Sequence, residues 1–165
     1  MALADEFGWQ RSSFGDMVRA VARSRGLDDS RAVLQAIGEE CETSDATGLC
    51  QAVLDAAGWS SGKPLVVDGV RHVRILEILK SPVSPQAVVF VYLEAKEDFR
   101  RTRLQERVGC ETDSLTVAEA HSTEHAVITR LPHLADIRLS TSTGSIEDLV
   151  GQLKHQVCKS SSDTG

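Results

Sequence analysis

Three stretches of the 165-residue chain carry side chains suited to holding or moving a phosphoryl group. Residues 13–19 read Ser-Phe-Gly-Asp-Met-Val-Arg. Gly15 permits a tight turn, Asp16 is placed to cap a following helix, and Arg19 leaves the first turns of that helix. Read alone, this is a capped helix with a solvated arginine. Residues 66–71 read Val-Val-Asp-Gly-Val-Arg. Asp68 ends an apolar run, and the carboxyl ends of strands are where open α/β sheets bind ligands. A carboxylate there can hold Mg²⁺ through water or orient a hydroxyl. Arg71 then stands at the mouth of the cleft, suited to a bidentate grip on phosphate. The plainer alternative is an aspartate that caps the next helix. It fits less well, because an acid at a strand end is costly without a partner.

The third stretch, residues 100–107, reads Arg-Arg-Thr-Arg-Leu-Gln-Glu-Arg. Arg100, Arg103 and Arg107 fall at i, i+3 and i+7 and so share one helix face. Glu97, Asp98, Glu106 and Glu111 could make this a solvated, salt-bridged surface, the usual meaning of a charge run. Cations that gather around a migrating phosphoryl group are the other reading. The remaining chemistry is thin. His121 and His125 are i,i+4 but have no third ligand or flanking catalytic glutamate, and no serine sits in a G-x-S-x-G setting. Cys41, Cys50, Cys110 and Cys158 form no C-x-x-C pair, which points to reduced thiols and not to zinc.

The elements that must position these residues follow from apolar periodicity. Residues 64–70 and 87–94 are continuously apolar and β-branched, the pattern of parallel strands buried on both faces. Residues 136–141 make a shorter strand and residues 9–14 a weak one. Helical spacing covers residues 16–25, a stretch capped by Ser30 that includes Val33, Leu34, Ile37 and Cys41, and residues 46–57. It returns over residues 72–79 and 96–108, at a capping box formed by Thr116 and Glu119, and in a last helix capped by Ser145. Ile146, Leu149, Val150 and Leu153 form that last helix's apolar face. Parallel strands joined by helices predict a doubly wound α/β sheet in a single domain over residues 1–158, with a disordered tail at 159–165.

Composition narrows the function. Hydrophobic residues make up 41% and charged residues 25%, the balance of a folded domain. A net charge of -6 argues against general nucleic-acid or membrane-surface binding, but leaves room for a small anion held by local arginines. Residues 1–8 show no basic segment followed by an apolar one, and no run approaches the roughly 20 apolar residues of a membrane span, so a cytoplasmic protein is expected.

Taken together, these pieces resemble the adenylate-kinase and dephospho-CoA-kinase group of P-loop kinases. Gly15, Asp16 and Arg19 resemble the start of that group's acceptor-binding helix, where the arginine contacts the acceptor phosphate. Asp68, Gly69 and Arg71 are similar to its second phosphate-binding segment, without the usual proline. Arg100 to Arg107 resemble the approach to a lid, at about residues 100–130, and residues 134–145 resemble the final strand and turn, with Thr143 where asparagine is common. The resemblance spans residues 2–157. It implies a three-layer doubly wound sheet, acceptor-binding helices at about 15–57, and phosphoryl transfer from ATP with Mg²⁺ to a small nucleotide-like acceptor. Arg19, Arg71, Asp16 and Arg100 would bind the acceptor, Asp68 would organise Mg²⁺ or the acceptor hydroxyl, and Arg103 and Arg107 would stabilise the transferring charge.

One part of the family pattern is missing. No G-x-x-x-x-G-K-[ST] loop occurs, and the Gly62-Lys63 pair runs into Pro64. The first central strand and the donor-phosphate site are therefore expected to be absent, and the chain as it stands to be inactive. It opens on Met1, Ala2 and Leu3, which offer no capping side chain for the helix they begin. A start assigned too late is expected, with a strand and phosphate loop encoded within roughly 20 residues upstream. The alternatives are a non-enzymatic relative without the loop, which binds a ligand or a partner protein and whose uncovered sheet favours an oligomer, or a plain α/β domain without a small-molecule site.

Overall fold

The computed structural model describes residues 2–96, 98–99, 127, 129–142 and 145–162. The chain is mixed α/β, and its four described strands form two separate parallel pairs. Contacts divide it into two compact units, Leu3–Val88 and Val89–Gly165.

The first unit opens with α1 (Ala2–Phe7) and β1 (Gln10–Ser13), which runs directly into α2 (Phe14–Ser24). Then come α3 (Arg31–Ala56), β2 (Leu65–Asp68) and α4 (Val73–Lys80). β1 pairs with β2 in parallel, in the register Gln10–Leu65, Arg11–Val66, Ser12–Val67 and Ser13–Asp68. α3 covers both stretches expected as separate helices, and it is broken between them. Asp45 leaves the helical region at φ -151° and ψ 68°, and its carboxylate accepts the Gly48 N–H at 2.8 Å, capping the second half. Ser44 prepares the break by donating its hydroxyl to the Glu40 carbonyl at 2.7 Å, a back-bond that bends helices. Ser30 occupies the first N-cap position without making the expected side-chain bond. Its own N–H goes instead to the Asp28 carboxylate at 2.8 Å.

The core of this unit lies where α2, α3 and α4 meet. Phe14, Ala46, Cys50, Val53, Ile75 and Leu79 are buried together, with Met17, Leu49, Val67, Val70 and Ile78 around them. α1, α2 and α3 end alike: Trp9, Leu27 and Trp59 donate their N–H groups back to Ala4, Ala22 and Leu54, closing each helix through a left-handed glycine.

Cys50 lies within this core. Its thiol faces the Ile75 carbonyl at 3.9 Å, and burial pushes its pKa up to about 11. At neutral pH it will be alkylated only as fast as the domain opens, whereas half-buried Cys41 will be labelled sooner. Peptide mapping after timed alkylation checks this, and equal rates at the two thiols would contradict it.

The second unit holds β3 (Val91–Glu94), a helical turn α5 (Leu131–Leu134), β4 (Ile137–Ser140) and α6 (Ile146–Ser162). β3 and β4 pair in parallel from Val91–Ile137 to Glu94–Ser140. The strand expected at 87–94 starts only at Val91, because the Phe90 N–H is taken by the Asp136 carboxylate at 2.7 Å instead of a ladder partner. Ser145 makes the expected cap, its hydroxyl accepting the Asp148 N–H at 3.1 Å, and the Asp148 carboxylate returns the bond by accepting the Ser145 N–H at 2.9 Å. These bonds, the backbone one foremost, hold the Asp148 carboxyl below its usual pKa. Leu153 is buried as expected, but Ile146 is 63% exposed, so the buried face begins a turn later than its spacing indicated. α6 continues to Ser162, into the stretch from 159 that is expected to be disordered. Among the described residues no helix is long and apolar enough to cross a membrane.

Candidate functional site

The site is built at the carboxyl edge of the β1–β2 pair. Ser13 and Asp68 are register partners and the last residues of their strands. Ser13 is extended, at φ -145° and ψ 130°, and its hydroxyl accepts the Asp16 N–H at 3.3 Å. Ser13 is thus the N-cap of α2, and the expected capping role of Asp16 is corrected. Asp16 stands three residues on, in the first turn, with its carboxylate available to other partners. The opposite face of β1 is anchored to α3, where the buried Ser12 hydroxyl donates to the Val53 carbonyl at 2.6 Å.

Four charged side chains then form a chain across the edge. Arg19 Nη1 donates to Asp16 Oδ1 at 3.1 Å. Arg11 Nη2 donates to Asp16 Oδ2 at 3.4 Å and lies 3.6 Å from Asp68 Oδ2. Side-chain exposures run from 33% at Asp68 to 62% at Asp16, so each pair contributes only about 0–1 kcal/mol. Such pairs fix orientation more than stability, and a competing ion can exchange them.

Asp68 does not cap α4, because the N-cap position there falls to His72. That removes the plainer reading of this acid and leaves Arg11 as its described ionic neighbour. Gly69 follows at φ +79°, a conformation that favours glycine. Its backbone runs close under the start of α2, where an added Cβ would stand 3.4 Å from the Gly15 nitrogen and 3.6 Å from the Phe14 Cβ. Arg71 lies exposed in the link between β2 and α4. Asp16, Arg19 and Asp68 are therefore brought together, and Arg71 follows Asp68 by three residues. Arg100, Arg103 and Arg107 lie outside the described residues.

The residue that the sequence reading missed is Arg11. It lies in the weakest strand candidate, and its role arises only when β1 pairs with β2. Arg11 and Ser13 share one face of β1, which sets Arg11 diagonally across from Asp68. The available signal was a long cation two residues before a strand-to-helix turn.

The Gly62-Lys63 pair forms no cradle for the ATP phosphates that the resemblance implies. Gly62 and Lys63 belong to a turn, closed by the Lys63 N–H to the Ser60 carbonyl at 3.1 Å, that leads into β2 and opens no helix. Among the described residues no group of three or more His, Cys, Asp or Glu could hold a metal ion. Asp16 and Asp68 both face Arg11. No family model matches the chain, and no curated protein matches it.

Proposed function

We propose that this chain carries the acceptor side of a nucleotide-kinase-type domain and binds a small nucleotide-like phosphate at the carboxyl edge of β1 and β2. The observation that carries this reading is the convergence of Asp68 with Asp16 and Arg19 through Arg11. In this reading Arg19 and Arg71 hold the acceptor phosphate, and Asp68 orients the acceptor hydroxyl. Arg100, Arg103 and Arg107 join only through the sequence resemblance, as cations for a transferring group. A three-layer doubly wound sheet is the fold we assign. It is supported by the parallel pairing of all four described strands and by the helices that follow β1, β2 and β4. Transfer from ATP needs a phosphate-cradling loop, and no G-x-x-x-x-G-K-[ST] loop occurs in this sequence, so binding without turnover is the expected behaviour.

The test is a calorimetric titration with a nucleoside 5′-monophosphate, beside an assay for ATP consumption. Saturable binding is expected, weakened about tenfold or more in Arg19→Gln, the scale of a lost charge-assisted contact. ATP consumption is expected to be nil. An absence of saturable binding would sink the reading, and turnover abolished by Asp68→Asn would show that a donor site exists after all.

A further inference from the structure

Asp16 is gripped from two sides. Its Oδ1 accepts from Arg19 and its Oδ2 from Arg11, so one carboxylate spans two guanidiniums from different elements. Two oxygens shared between two arginines is how a phosphate group would also be held. The cluster of Arg11, Arg19, Asp16 and Asp68 is formally neutral, so a weak monoanion meets little net attraction there. Resting on the acceptor-site reading above, we infer that Asp16 is a built-in competitor. Its carboxylate fills the anion position between Arg11 and Arg19 until a phosphate monoester displaces it. The exchange is feasible because both pairs are exposed and individually weak. Arg11 thereby joins Arg19 and Arg71 as a phosphate-binding cation of the site, and Asp16 sets a threshold that a dianion clears more readily than a monoanion.

The experiment compares the parent protein with Asp16→Asn, Arg11→Gln and the double variant, titrated with a nucleoside 5′-monophosphate and with inorganic phosphate. Asp16→Asn keeps the side-chain shape and lies on the surface, and circular dichroism verifies its fold. It should tighten monophosphate binding about tenfold, the scale of two exposed ion pairs no longer broken on binding. Arg11→Gln in that background should cancel the gain. In the parent protein, the Nε–H signals of both Arg11 and Arg19 should shift on adding phosphate. Binding by the parent that Asp16→Asn leaves unchanged or weakens would overturn this inference while the acceptor site stands. Binding by none of the variants would overturn the acceptor site itself.

Discussion

A Phe14→Ala variant will lose about 3–5 kcal/mol of unfolding free energy, the range for truncating a buried phenylalanine. Phe14 is 6% exposed and is packed in one cluster with Ala46, Cys50 and Val53 of α3 and Ile75 and Leu79 of α4. It is also the first residue of α2, directly after the last residue of β1. Its ring therefore fixes where α2 begins, and with it Asp16 and Arg19. Domains of this size hold only about 5–15 kcal/mol in total, so the variant should sit near the edge of folding. Urea unfolding followed by the fluorescence of Trp9 and Trp59 measures the loss. A midpoint shift worth less than about 1 kcal/mol would mean that the core does not rest on this side chain.

The second large effect is at Gly69. A valine there will cost about 2 kcal/mol or more and will weaken phosphate binding as well. The left-handed conformation alone costs about 1–2 kcal/mol for an ordinary residue, and a β-branched one tolerates it worst. The methyls of valine would extend beyond a Cβ that already stands 3.4 Å from the Gly15 nitrogen, and so press on the start of α2. Gly69→Ala should fall between the parent and the valine variant, because its single methyl adds strain without the same crowding. Thermal melts give the ranking, and the monophosphate titration gives the coupling to the site. If Gly69→Val melted with the parent, the tight approach between β2's end and α2 would not exist.

Local signals in the sequence are legible where they are self-contained. The cap formed by Ser145 and Asp148, the two halves of α3 on either side of Asp45, and the strand inside 64–70 all depend on residues within a few positions of each other. What the sequence did not disclose depends on neighbours far along the chain. β2 is apolar at Leu65, Val66 and Val67 and reads as doubly buried, yet all four of its residues are only half-buried in a two-stranded sheet. The apolar pattern states what a strand is suited to, and not which elements cover it. The sequence places Asp16 to cap α2, but the extended backbone at Ser13 gives that task to the hydroxyl. Arg11 gave no periodic signal at all, since its value lies in a register that joins residues 11 and 68.

The absence of any linker between Ser13 and Phe14 constrains how the length of this segment can vary. A single residue inserted there would turn α2 by about 100° about its axis. Phe14 would leave the core, and Asp16 and Arg19 would swing away from Arg11 together, although no side chain had changed. Deleting one residue would do the same in the opposite sense. The turn at residues 60–63, by contrast, lies exposed ahead of β2 and can absorb added residues without rotating anything in the site. Substitution is therefore open at many positions of β1 and α2, whereas insertion and deletion at their junction are closed. A chain that keeps this geometry must keep the count of residues from Arg11 to Arg19 unchanged.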